Sequence, residues 1–311
     1  MVGDGPAGDL PRLGRLLLHD RPCVRHRWRR ARGRPRADRL PPEARVVGGE
    51  VTRTKYFDLT GKKALVIGAE LPAGGAIARA YAEAGADVAL AVLTADEAVM
   101  RARAVKRDIE AMGRTAAEYV MDVTLGKNVQ VTMRQIVKEI GGLDMVAIAP
   151  DLFLAKPIEK ISDTELQRVM QVNFNAHFFA VRHAAEEFRR LNQPGRIVCV
   201  TSVLGERGLP NATAYAAAHG AVHNFVRAAS QELAAERIMV NGIALGWMDW
   251  MTDRISPDDE EAQRAVRFTA LRRAGRADEV GPLAVYLSSE LATRNITGQI
   301  FPVDGGLTQH L

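Results

Sequence analysis

Cysteine is nearly absent. Two thiols in 311 residues, Cys23 and Cys199, cannot build a disulfide framework and suit a reducing compartment, so a cytoplasmic protein is expected. Long apolar runs are missing as well. No stretch approaches the roughly 18 uninterrupted apolar residues of a bilayer span, since charges such as Glu83 and Asp87 break the candidates, and this excludes a membrane-spanning protein. The histidines lack the partnered Cys or carboxylate spacing of a metal site, so none is expected; His177, His183 and His223 read as helix-surface or interface residues.

The first fifty residues contain neither lysine nor serine. What they hold instead is arginine, twelve against four Asp and two Glu, for a charge of +6. Residues 51–311 carry thirty Lys+Arg against thirty-one Asp+Glu, or −1, so the formal net charge of +5 belongs to the N-terminal segment. The larger part gives no electrostatic ground for nucleic acid or an acidic membrane as partner. Without serine, residues 1–50 do not resemble an organellar transit peptide, and Leu16–Leu18 is too short for a secretory signal. Their Arg/Pro/Gly composition predicts a disordered extension. It equally fits an untranslated stretch, with Gly48-Gly49-Glu50 encoded by a purine-rich ribosome-binding sequence ahead of a start at Val51.

From Lys62 onward, short β-branched runs alternate with longer amphipathic ones, the pattern of a doubly wound parallel sheet with helices on both faces. Seven strands are expected, near 64–67, 88–93, 118–121, 145–149, 196–200, 239–244 and 299–303. Helical patterns fall near 75–84, 95–112, 127–140, 163–191, 214–235 and 278–289. Ser162 with Glu165 forms a capping box, and Gly141-Gly142 stop the preceding helix. There is no internal repeat, so residues 51–311 read as a single α/β Rossmann-type domain.

After the first strand comes Gly68-Ala69-Glu70-Leu71-Pro72-Ala73-Gly74-Gly75, a glycine turn into a helix where a pyrophosphate can rest on the helix N-terminus. Pro72 removes one N–H from that cradle but suits the first helical position. Ser202 follows the fifth strand, with Tyr215 thirteen residues later and Asn173 on the long helix.

Together these motifs make residues 57–308 resemble the short-chain dehydrogenase/reductase family. The family's Thr-Gly-x-x-x-Gly-x-Gly is represented by Ile67, Gly68, Pro72 and Gly74, and its adenine-contacting pair by Asp122-Val123. The resemblance implies an NAD(P)-dependent oxidoreductase acting on a small, moderately apolar hydroxyl or carbonyl compound. Tyr215 would be the acid/base, Ser202 the carbonyl holder, Asn173 part of a proton relay and His219 a stand-in for the family's lysine at Tyr+4. Gly68, Gly74, Asp122, Val123, Ala149, Tyr215 and His219 would contact the cofactor, and Trp247, Met248 and Trp250 would form a substrate lid. A homodimer or homotetramer is implied. Val92, Leu93 and Thr94 end the second strand without charge, leaving NAD and NADP both open. Three departures coincide: Pro72, Ile148-Ala149-Pro150-Asp151 in place of Asn-Asn-Ala-Gly, and His219. They support a second reading, a non-catalytic binding or assembly subunit on the same fold.

Overall fold

Successive residues of the first strand enter different layers: Ala64 and Val66 join one apolar cluster, Leu65 and Ile67 another, and all four are fully buried. Burial on both faces is what a parallel sheet flanked by helices requires. The structure is a computed structural model that describes residues 55–254 and 267–309. The Arg-rich extension and much of the charged stretch between Met251 and Arg273 lie outside the described residues.

The strands are β1 (Lys63–Ile67), β2 (Asp87–Val92), β3 (Ala116–Val120), β4 (Met145–Ile148), β5 (Gly195–Ser202), β6 (Ile238–Leu245) and β7 (Ile300–Val303). They form one sheet in the order β3-β2-β1-β4-β5-β6-β7, every pair parallel. All seven expected strands are present, with ends shifted by at most two residues. The strand order reverses between β1 and β4, and the C-terminal ends of these strands open a crevice there, the usual ligand position in such sheets.

The helices are α1 (Pro72–Glu83), α2 (Glu97–Ala111), α3 (Gly126–Ile140), α4 (Asp163–Met170), α5 (Ala176–Leu191), α6 (Thr213–Leu233) and α7 (Gly281–Ser288). Ile77 and Tyr81 of α1 pack with Ala284 and Leu287 of α7 on one face of the sheet; Met133, Phe188 and Val226 of α3, α5 and α6 pack on the other. The capping box at Ser162 is formed, Glu165 Oε2 accepting from the Ser162 amide at 2.9 Å. Gly141 ends α3 at φ +79°.

The expected single helix over 163–191 is instead α4, a π-helical turn Gln171–Asn175, and α5. That turn redirects Asn173 and the Asn173 carbonyl. The three histidines expected on helix surfaces are buried: His177 is fully enclosed, and His183 and His223 are nearly so. Ile148, where the family has asparagine, is also fully buried and pairs with Ile67 and Cys199, so an apolar residue closes the sheet centre. Among the described residues no helix is long and apolar enough to cross a membrane.

Candidate active site

The turn out of β1 is dictated by two glycines. Gly68 sits at φ +81°, and a Cβ there would lie 2.7 Å from the Ala149 carbonyl oxygen. A Cβ on Gly74 would run into the Gly68 carbonyl, so the first turn of α1 lies directly against the end of β1. Pro72 occupies the start of α1, which has neither a side-chain cap nor an acidic first turn.

Glu70, in the same turn, reaches across to the second strand: its Oε1 accepts from the Leu93 amide at 2.9 Å. The residue is buried, and Oε2 has no hydrogen-bond partner among the described residues. Burial pushes its carboxyl above the ordinary carboxylate range, against the opposing pull of the Leu93 amide. Beyond β3, Asp122 folds back on its own loop, Oδ1 accepting from the Thr124 amide at 2.9 Å and hydroxyl at 2.6 Å. Val123 beside it is buried.

On the other side of the crevice, α6 carries Tyr215 and His219 on one face, their rings 4.2 Å apart. Phe153 meets the Tyr215 ring edge-on at 5.1 Å. The Tyr215 hydroxyl donates to Asp151 Oδ1 at 2.9 Å. His219 is buried and shares a 2.9 Å hydrogen bond between Nδ1 and the Thr201 hydroxyl. Ser202, at the end of β5, accepts from the Leu204 amide at 3.2 Å.

Asn173 is spent on the backbone. Its Oδ1 accepts from the Leu152 amide and its Nδ2 donates to the Leu152 carbonyl, both at 2.8 Å, which fixes the segment carrying Asp151. The Asn173 carbonyl lies 2.9 Å from His177 Nδ1, and the Val200 carbonyl 3.0 Å from Nε2. Burial holds the His177 ring down at about 4, so it is neutral at physiological pH.

Leu71, Pro72, Ala149, Asp151, Tyr215, His219, Trp250 and Met251 enclose a cavity of about 30 Å³. Of the three residues expected as a lid, only Trp250 lines it; Met248 is fully buried in the core against Gly275, and Trp247 is half-buried beside it. Met251, next to Trp250 in the same apolar segment, lines it as well. Among the described residues no group of three His, Cys, Asp or Glu is placed to hold a metal ion.

A family model described as enoyl-(acyl carrier protein) reductase matches residues 72–308. The chain belongs to the short-chain dehydrogenase/reductase family. Gluconate 5-dehydrogenase of Gluconobacter oxydans is 30% identical over 256 residues, 82% of this chain and 98% of that one. Two solved structures carry different cofactors in their descriptions. A blue fluorescent protein from a metagenomic library, in complex with NADPH, is 30% identical at TM-score 0.73, covering 80% of this chain and 99% of its own. NAD⁺-bound xylitol dehydrogenase is 26% identical at the same TM-score, with the same coverage.

Tested against the short-chain dehydrogenase cofactor, NAD or NADP, the two halves of the crevice differ. The adenosine side fits: the glycine turn presses close to β4, the first turn of α1 holds no acidic residue, and Oε2 of the buried Glu70 has no hydrogen-bond partner among the described residues. The nicotinamide side is tighter, about 30 Å³ where ligand pockets run to about 300 Å³ and above.

Two site features lay outside the sequence expectation. The sequence shows Asp151 as a departure from the family pattern but not its Tyr215 partner, and it gives no periodic signal for Glu70. A lone carboxylate amid the small and apolar residues of a glycine turn is the signal that marks it.

Proposed function

We propose that this short-chain dehydrogenase/reductase interconverts a hydroxyl and a carbonyl on a small, moderately apolar substrate, with Tyr215 and Asp151 sharing the reacting proton. The observation that carries the reading is the 2.9 Å hydrogen bond from the Tyr215 hydroxyl to Asp151, made at the switch-point crevice beside the glycine turn. A bound nicotinamide would take or supply the hydride. In alcohol oxidation the substrate hydroxyl passes its proton to Tyr215 Oη as Oη passes its own to Asp151 Oδ1; reduction runs the same transfers backwards. Phenolate and carboxylate within hydrogen-bonding distance repel, so Tyr215 gives up its proton only as Asp151 takes it. The family's lysine would have stabilised the phenolate directly. Here His219 supports the tyrosine ring, and Ser202 would hold the substrate oxygen. Leu71, Trp250 and Met251 favour an apolar substituent over a sugar or a charged acid.

A second reading is favoured by one observation, the narrow cavity where nicotinamide would stand: a non-catalytic member serving binding or assembly, as a homodimer or homotetramer. Fluorescence titration with NADH and NADPH separates the two. Saturable binding of either, followed by turnover of apolar ketones that Tyr215→Phe abolishes, supports the oxidoreductase; absence of binding at millimolar cofactor supports the assembly reading.

A further inference from the structure

The end of β2 is where a Rossmann sheet reads the adenosine ribose, by a carboxylate for a 2′-hydroxyl or a guanidinium for a 2′-phosphate. This chain has no charged residue in Val92-Leu93-Thr94. The structure brings one there from elsewhere. Glu70 leaves the glycine turn, 23 residues upstream, and anchors Oε1 on the Leu93 amide at 2.9 Å.

We propose that Glu70 is the residue that selects the dinucleotide, accepting a hydrogen bond from the 2′-hydroxyl of NAD and repelling the 2′-phosphate of NADP. This rests on the dinucleotide reading above. Three features bear on it. Oε2 is a buried acceptor with no hydrogen-bond partner among the described residues, and such an atom gains from a ligand donor what those residues do not give it. The anchoring hydrogen bond fixes the carboxylate in place, so little ordering is needed on binding. Asp96, the cap of α2, adds a second acidic group near Glu70, its Oδ1 accepting from the Ala98 amide at 3.0 Å. The nearby cation is Arg101, whose guanidinium is exposed and lies 3.9 Å from Glu97 Oε2. A 2′-phosphate would have to draw Arg101 from that neighbour while facing Glu70.

Glu70→Gln isolates the charge. The amide oxygen can still accept from Leu93, so the brace across the crevice survives while the negative charge is lost. The experiment is calorimetric titration of the full chain and of Glu70→Gln with ADP-ribose and with 2′-phospho-ADP-ribose. These probes carry the adenosine half alone and do not need the narrow nicotinamide side. Thermal melts of both proteins check that the variant is folded.

The wild type should bind ADP-ribose at least tenfold more tightly than its 2′-phosphorylated form, and Glu70→Gln should bring the two within about threefold, chiefly by improving the phosphorylated ligand. Equal affinities in the wild type, or a preference for the 2′-phosphate, would overturn the assignment and give the choice to Arg101. So would a gap that persists unchanged in a folded Glu70→Gln protein. Absence of binding by either probe would remove the dinucleotide reading itself, an outcome distinct from binding without discrimination. If Glu70→Gln does not fold, the wild-type ratio alone decides.

Discussion

Tyr215 and Asp151 lie 64 residues apart in sequence and are joined by a hydrogen bond of 2.9 Å, donated by the phenol to the carboxylate. The bond links two departures from the family pattern. The acid comes from the segment that replaces Asn-Asn-Ala-Gly, and the helix that carries the tyrosine has exchanged lysine for His219.

Asp151→Asn removes the acceptor for the Tyr215 proton and keeps the shape. Alcohol oxidation should fall about a hundredfold, the lower range for losing an acid/base group, while NADH affinity stays within about twofold. Initial rates from 340 nm absorbance, beside a fluorescence titration, check both. Unchanged rates would remove Asp151 from the proton path.

His219→Lys places a permanent ammonium next to Tyr215 and within the reach of Asp151. A shift of one pKa unit in the phenol corresponds to about 1.4 kcal/mol, so gains of about tenfold in turnover are expected, with activity extending to higher pH than in the wild type. The pH–rate profiles of the two proteins make the comparison. No gain on an apolar ketone panel, with cofactor still bound, would mean that the Thr201-bound imidazole is not a handicap.

Trp250 is half-buried over the cavity, and Trp250→Ala should open it. The dissociation constant for NADH should fall, and KM for apolar ketones should rise about tenfold as the apolar wall is lost. Size-exclusion chromatography of the variant is the control; a change in assembly state would assign Trp250 to a subunit contact.

Buried His177 makes stability depend on pH. Its folded-state value near 4 lies below the ordinary 6.5, so the unfolded chain binds the extra proton and the fold loses stability as pH falls from about 6.5 toward 4. One such group is worth up to about 3 kcal/mol over that window. His223, also lowered by burial, adds in the same direction. His177→Gln should flatten Tm against pH between 4.5 and 7, whatever it does to Tm at neutral pH; an unchanged slope would place the protonation elsewhere. Glu165 and Glu279, both held near 2 by their Lys156 and Arg273 partners, act only at lower pH.

The sheet was legible because each strand is a short β-branched run buried on both faces, and the glycine turn because Gly68 and Gly74 face contacts that no Cβ survives. The π turn at Gln171–Asn175 was not, since an extra residue in one turn barely alters a helical apolar pattern. His177, His183 and His223 were misread for a related reason. Periodicity places a residue on a helix face but does not reveal the partner that lets a polar ring be buried there, such as a carbonyl of Asn173 or Val200 for His177 or the Glu186 carboxylate for His183. Tyr215, Ser202 and Asn173 could be located by their spacing, while their partners could not. Asp151 and Glu70 act through contacts across loops, and such contacts leave no periodic trace.

The central claim is that Tyr215 moves a proton for hydride transfer at a dinucleotide site. Its most direct measurement is NADH formation at 340 nm from NAD⁺ and a panel of small apolar secondary alcohols, run with wild type and Tyr215→Phe, each shown by fluorescence titration to bind NADH. The wild type should turn over at least one alcohol, and Tyr215→Phe should lose that turnover while keeping its NADH affinity. Equal rates in the two proteins, or a wild type that binds NADH and turns over nothing on the panel in either direction, would contradict it.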